Sequence, residues 1–187
     1  GRVRVATPLT VSDEAVRLAV VGKLGWIKRQ RARFVAQPRQ TRREMVSGES
    51  HYFQGRRYRL RLIKKDGTPK VVRRNNSILE LQVRPETTVI GRERILQQWY
   101  RQYLRELIPA LLEKWQAVLG VQANEFGIKK MKTKWGTCNI ETRRIWINLE
   151  LAKKPVSCLE YIVVHELTHL LERNHNERFT AIMDRHL

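Results

Sequence analysis

Five residues near the end of the chain, His165-Glu166-Leu167-Thr168-His169, have the form H-E-x-x-H. On a helix, side chains four apart lie about 40° apart around the axis and one turn apart along it. Both imidazoles then reach a single zinc ion. Glu166 follows the first of them and is placed to hold and deprotonate the metal-bound water, which is the arrangement of a zinc hydrolase. A third histidine, His175, follows six residues after His169. On a continued helix it would stand about 9 Å further along the axis, out of reach of the same ion. For His175 to be a ligand the helix must end near residues 173–174. Asn174 is one of the few non-glycine residues that tolerates the left-handed conformation of a helix end. The other donors downstream are Glu172, Glu177, Asp184 and His186. Glu172 is still on the helix and points the wrong way, and His186 stands at the end of the chain, so His175 is the best third ligand. The bland alternative is a surface helix with solvent-facing histidines, or a loop His175 with the metal completed elsewhere.

The elements needed to position these groups are legible nearby. Leu159, Ile162, Val163, Leu167 and Leu170 recur at helical spacing, Pro155 suits a helix start, and Ser157-x-x-Glu160 fits a capping box. Residues 126–135 read as a strand, 139–143 as a turn, and 144–149 as a returning strand with Ile145 and Ile147 on one face. The exposed edge of such a strand pair can run along the metal cleft and pair with an extended peptide. A long helix precedes them. Its apolar positions, from Ile95 and Leu96 through Trp99, Tyr100 and Leu104 to Trp115 and Leu119, form one broad stripe expected to pack behind the metal helix. Pro109 should kink it and Gly120 end it.

Further upstream, residues 52–83 are β-like. They predict a small antiparallel sheet with one wet, basic face, a hairpin at Asp66-Gly67 and a turn at Asn75-Asn76. Residues 2–6 alternate as a strand, and Ser12-Asp13-Glu14 opens a helix. A basic stretch over residues 28–43 is interleaved with Phe34 and preceded by Trp26, as in many nucleic-acid surfaces, although a solvated helix face is the commoner explanation. Phe179, Ile182 and Met183 suggest a last short helix. The expected fold class is α+β. Residues 1–86 would form a basic β-rich part with one helix and residues 87–187 the metal-bearing domain, with one continuous unit as the alternative.

Composition bounds the function. The chain has 187 residues, two cysteines (Cys138 and Cys158) and a formal charge of +19. No disulfide framework is implied, which suits a reducing cytoplasm. Cys158 is expected to pack, and Cys138 to be a buried structural thiol rather than a ligand. No apolar run approaches the length of a membrane span, and residues 1–10 hold no signal-peptide pattern. The chain does not begin with methionine and stops inside a helical pattern, so both ends are expected to be trimmed. The charge would attract polyanions, nucleic acid among them, or complement an acidic partner.

The motifs together resemble a known family. Lys132-Thr-Lys-Trp135-Gly136-Thr-Cys138, Ile147-Asn148-Leu149, Pro155, Tyr161-Ile-Val-Val-His165-Glu166-Leu-x-His169 and Asn174-His175-x-x-x-Phe179 closely resemble the YgjP-like metallopeptidase domain family, grouped with SprT-like and yeast Wss-type zinc proteases. Gly55-Arg-Arg-Tyr58-Arg-Leu60 and Gly25-Trp26-Ile27 look like the same family. The resemblance implies a zincin-like α+β domain, zinc on His165, His169 and His175, and Glu166 as general base. Trp135, Gly136 and Asn148 lie in the shared motifs and are expected at the substrate. Relatives of the SprT and Wss type cleave proteins, including those trapped on DNA, which would suit the charge, but no separate DNA-binding module is recognisable.

The leading function is thus a zinc-dependent metallopeptidase acting through a zinc-activated water, on polypeptides that include nucleic-acid-associated ones. Two other readings are a metal-dependent nucleotide phosphoanhydride hydrolase, which lacks a Walker-type glycine loop, and a non-catalytic zinc-containing nucleic-acid-binding module, in which Glu166 would have no task.

Overall fold

In the computed structural model, residues 3–8, 10–36 and 43–186 are described. They fall into two units, Gly1–Arg42 and Arg43–Leu187. The first holds α1 (Asp13–Gly22) and α2 (Leu24–Ala36). Ser12 caps α1 by accepting a hydrogen bond from the Ala15 amide, and Asp13 and Glu14 place negative charge at the positive end of the helix dipole. The strand expected over residues 2–6 is absent at residues 3–6. Alternation alone does not make a strand; the backbone needs a ladder partner, and among the described residues none is paired with it. The basic stretch expected at residues 28–43 is helical as far as Ala36, and residues 37–42 lie outside the described part.

The second unit is built on α3 (Val89–Leu119), which starts where the Thr88 side chain accepts from the Gly91 amide and ends at Gly120, left-handed at φ 66°. Its buried residues, Leu96, Tyr100, Leu104, Ile108, Leu112, Trp115 and Leu119, follow one face at helical spacing. Each such side chain contributes about 1.5–3 kcal/mol when taken fully from water. This stripe packs against a four-stranded sheet, a 3₁₀ turn (Leu149–Lys153) and the metal-motif helix α4 (Val156–Thr168).

The four-stranded sheet comprises β1 (Ser50–Phe53), β2 (Arg56–Lys64), β3 (Lys70–Arg73) and β4 (Ile78–Val83), in the order β1-β2-β4-β3. The tight β1–β2 turn uses Gln54 at φ 50° and Gly55 at φ 78°. The hairpin expected at Asp66-Gly67 does not form: β2 pairs with β4 in parallel, and β3 lies beyond β4, antiparallel to it. Burial explains the choice. β4 is buried along nearly all its length and takes the interior position, while short, charged-ended β3 is left at the edge. The turn at Asn75 does form, with its side-chain oxygen accepting from the amides of Ser77 and Ile78.

A second sheet comprises β5 (Glu125–Lys129), β6 (Gly136–Asn139) and β7 (Arg144–Asn148), in the order β5-β7-β6. β7 is central, parallel to β5 and antiparallel to β6, and Ile145 and Ile147 are fully buried, on one face as predicted. The last helix, α5 (Glu177–His186), lays Phe179 and Met183 against the rest. The unit is therefore α+β, with the H-E-x-x-H helix packed on the long helix.

Candidate active site

Helix α4 begins at Pro155, whose φ of −51° and missing amide suit a helix start; no side chain caps it. The expected capping box is not made. Ser157 is already inside the helix, and Glu160 instead accepts hydrogen bonds from Lys114 Nζ at 2.8 Å and Trp115 Nε1 at 2.9 Å, tying α4 to α3. These two donors hold the Glu160 carboxyl below its usual range. Cys158 is exposed rather than packed, because it falls on the outer side of this first turn, one residue before buried Leu159.

The helix also ends earlier than expected, at Thr168. Thr168 turns its hydroxyl back to the carbonyl of Val164, and the chain tightens through bonds from the Leu170 amide to Leu167 and from the Leu171 amide to Thr168. Asn174 does not adopt the left-handed conformation expected of it. The turn is made instead over residues 169–176, and Asn176 caps α5 by accepting from the Phe179 amide at 3.0 Å. This short return brings His175 back over the end of α4.

His165, His169 and His175 form a single cluster of possible ligand atoms, all within 4.8 Å of one another. His175 Nε2 lies 3.1 Å from His165 Nε2 and 3.2 Å from His169 Nε2. Tetrahedral coordination at about 2.05 Å would set ligand nitrogens about 3.3 Å apart. His169 Nδ1 is 3.2 Å from the Glu172 carbonyl, which can only accept; the proton is therefore on Nδ1 and the Nε2 lone pair faces the cluster. Burial, then the neighbouring imidazoles, lowers the pKa of His165 to about 4, and burial lowers that of His169. Both are neutral at neutral pH, the form that ligates a metal. Three convergent nitrogens cannot satisfy one another with hydrogen bonds, and a divalent ion is the group that fits the donor set. His165 Nδ1 is buried without a partner, so its ring is held by packing alone.

That packing comes from Phe179, which the sequence places in a shared motif and in the last helix but to which it assigns no part in the site. It is 4% exposed. Its ring centre lies 4.9, 4.9 and 4.7 Å from those of His165, His169 and His175. Its place four residues after His175 was the available signal. Of the other donors weighed from sequence, His186 packs edge-on against Trp115, with ring centres 6.4 Å apart, and none joins the cluster among the described residues.

Glu166 lies beside the cluster but outside it. It is 4% exposed, and burial raises its carboxyl to about 7 against the opposing effects of Lys134 and the Cys138 backbone amide. The cavity that opens here has a volume of about 1120 Å³ and runs between residues 134–141 on one side and α4 with its return on the other. Trp135 lines it, 46% exposed, with Lys154 Nζ 5.6 Å from the ring centre. Gly136 lines it with its Cα turned to Glu166: a Cβ there would lie 2.5 Å from Oε1 and 2.7 Å from Cγ. Cys138 also lines it, with burial pushing its thiol up to about 11.

Asn148 is not brought to the cavity. It is buried, and its amide donates to the carbonyls of Met131 and Lys134 while its oxygen accepts from the amides of Met131 and Glu150. It shapes the loop that carries Trp135. Tyr161, one helical turn before His165, does line the cavity, its ring centre 6.3 Å from that of His165. The spacing of four was the signal that could have found it.

The YgjP-like, metallopeptidase domain family matches residues 1–187. The chain belongs to this family. It is the family that the motifs resemble, and membership implies a divalent metal and a polypeptide substrate. No curated protein matches the chain. Among solved structures, the crystal structure of the metallopeptidase zymogen of Pyrococcus abyssi abylysin is similar at 22% identity and a TM-score of 0.40, over 42% of this chain and 78% of that one. No helix among the described residues is long and apolar enough to cross a membrane.

Proposed function

We propose that this YgjP-like chain is a zinc peptidase, with the metal on His165, His169 and His175 and with Glu166 as general base. The observation that carries the reading is the convergence of the three Nε2 atoms beside a buried carboxylate that is not one of the ligands. When bound, zinc supplies a Lewis acid and lowers the pKa of a water towards ~7. Glu166 takes the proton of the attacking water and passes it to the leaving amide nitrogen. Its burial keeps bulk water from competing for that proton. The nearby Cys138 amide favours the ionised carboxylate, in opposition to burial.

Among the described residues β6 pairs on one side only, with β7, and its residues line the cavity. An extended polypeptide can add to its free edge through main-chain hydrogen bonds, with Trp135 and Tyr161 offering apolar surface at the two walls. The charge of +19 suits substrates that are acidic or carried on nucleic acid.

The test compares purified wild type with Glu166→Gln and His175→Ala. Glu166→Gln should keep one zinc per chain and lose at least about 100-fold in peptide turnover. His175→Ala should lose zinc. A fully active Glu166→Gln variant would end the assignment, and phosphate release from nucleoside triphosphates without peptide cleavage would favour the nucleotide hydrolase.

A further inference from the structure

We propose that the outer face of the four-stranded sheet binds single-stranded nucleic acid, with successive phosphodiesters on Arg57, Arg59 and Arg61 and a base stacked on Tyr52. The surface follows from the alternation of β2. Tyr58 and Leu60 point into the core and are buried, so Arg57, Arg59 and Arg61 share the opposite face, and all three are exposed. Same-face neighbours on a strand are about 6.6 Å apart, a spacing that suits consecutive phosphates of an extended strand.

The pairing register adds the rest. Tyr52 stands directly opposite Arg57 on β1, on the same face, and is 45% exposed. Lys70 of β3 joins the face opposite Gln82 and is exposed. The one carboxylate that the strands place on this face is Glu80, opposite Arg61. It is buried, and Arg74 closes on it through two hydrogen bonds of 3.0 and 3.1 Å, while Gln82 donates to it as well. Among the described residues no ion pair uses Arg57, Arg59 or Arg61.

Three guanidiniums in a row repel one another; only Arg61 has a carboxylate across the ladder, Glu80, and that one is already bound by Arg74. Charges are often placed on edge strands to block sheet-to-sheet aggregation, but β2 is an interior strand, flanked by β1 and β4, so that explanation does not apply. A linear polyanion relieves the repulsion. The exposed aromatic beside the row selects among polyanions. Bases of a single strand offer their faces for stacking on an aromatic, whereas a duplex offers only base edges and phosphates. A membrane surface would want apolar groups to insert, and Tyr52 is the only large exposed one on these strands. The β1–β2 turn also bonds to the segment leading into α4, Gln54 and Gly55 donating to the carbonyls of Ala152 and Lys153 at 3.0 and 3.1 Å. The surface is thereby held by the same scaffold as the proposed peptidase site, although it does not depend on that reading.

The test uses the full chain and fluorescence anisotropy with a labelled oligonucleotide of about 20 bases, single-stranded DNA and RNA beside a DNA duplex, over a salt series. The triple variant Arg57→Ala/Arg59→Ala/Arg61→Ala is compared with Arg94→Ala/Arg105→Ala/Lys132→Ala, which removes the same charge from exposed sites off this sheet. The sheet variant should bind single strands at least about 10-fold more weakly and flatten the slope of log affinity against log salt by about 2, from about 0.7 per lost phosphate contact. The control should change by less than about threefold. Tyr52→Ala should weaken single-strand binding by about fivefold or more, from the usual worth of a stacked base. Arg59→Gln, milder for folding, should give a partial loss in the same direction. Equal weakening in the two triple variants would overturn the proposal in favour of a diffuse field. Duplex bound as tightly as single strand, or anionic vesicles bound in preference to either, would overturn it as well. Peptide turnover is followed in parallel: its absence in the wild type bears on the peptidase reading and not on this surface.

Discussion

Gly136→Ala is the sharpest probe of the site. Gly136 opens β6, where its partner across the ladder is Ile147 of β7, and its Cα faces the Glu166 side chain. An added Cβ would stand 2.5 Å from Glu166 Oε1, where ordinary contact begins at 3.4 Å, so the two must separate by about 0.9 Å. The ladder holds β6, and Glu166 is 4% exposed on a packed helix, so the carboxylate is the part that gives way. Misplacement of a catalytic group by about 1 Å costs about 100-fold in rate, which is about 2.7 kcal/mol on the barrier. The loss should fall mainly on kcat, because the added methyl points at Glu166 while Trp135 and Tyr161, the apolar walls of the cleft, are unchanged. Zinc content should stay at the wild-type level, since the three atoms nearest to the added methyl all belong to Glu166. Overpacking of this kind also lowers stability, by about 1–3 kcal/mol. In a Glu166→Asp background, where the shorter side chain leaves room, the same substitution should cost almost no stability, and the double-mutant cycle would show the coupling. The assay is steady-state peptide hydrolysis with metal analysis and thermal melts on each variant. A Gly136→Ala enzyme with kcat within about twofold of wild type, or one that loses zinc in step with activity, would refute the geometry argued for Glu166.

Phe179→Leu removes the shared floor under the three histidines; zinc affinity, read by chelator competition, should fall about 10- to 100-fold, the range for a lost supporting contact at a metal site, and unchanged affinity would assign their orientation elsewhere. Asn148→Asp replaces two amide donors with acceptors that face the carbonyls of Met131 and Lys134. It should destabilise the fold by about 2–4 kcal/mol in urea melts, from unpaired buried polar groups, while an undiminished unfolding midpoint would show that the loop over residues 131–134 is held by other contacts.

The proposed chemistry was legible in the sequence because it is local. His165 and Glu166 lie in the last turn of one helix and His169 at its C-cap, and helical spacing alone brings the two imidazoles to one side. The stripe of α3, the cap at Ser12 and the stop at Gly120 follow from periodicity and residue type in the same way. Errors arose where the outcome depended on partners distant in sequence. The Asp66-Gly67 turn signal is sound locally, yet β4 outcompetes β3 for the place beside β2 because it buries more apolar surface there. Ser157 and Glu160 have the capping-box spacing, but Lys114 and Trp115 claim the carboxylate from another helix. Asn174 could end a helix, but the helix already stops at Thr168, through its hydroxyl and the return that seats Phe179. Asn148, expected at the substrate, is consumed by four hydrogen bonds that no spacing rule announces. Sequence periodicity determined which residues could share a face; only tertiary packing decided which faces meet, and therefore how His175, Phe179, Gly136 and Tyr161 come to surround the same few ångströms.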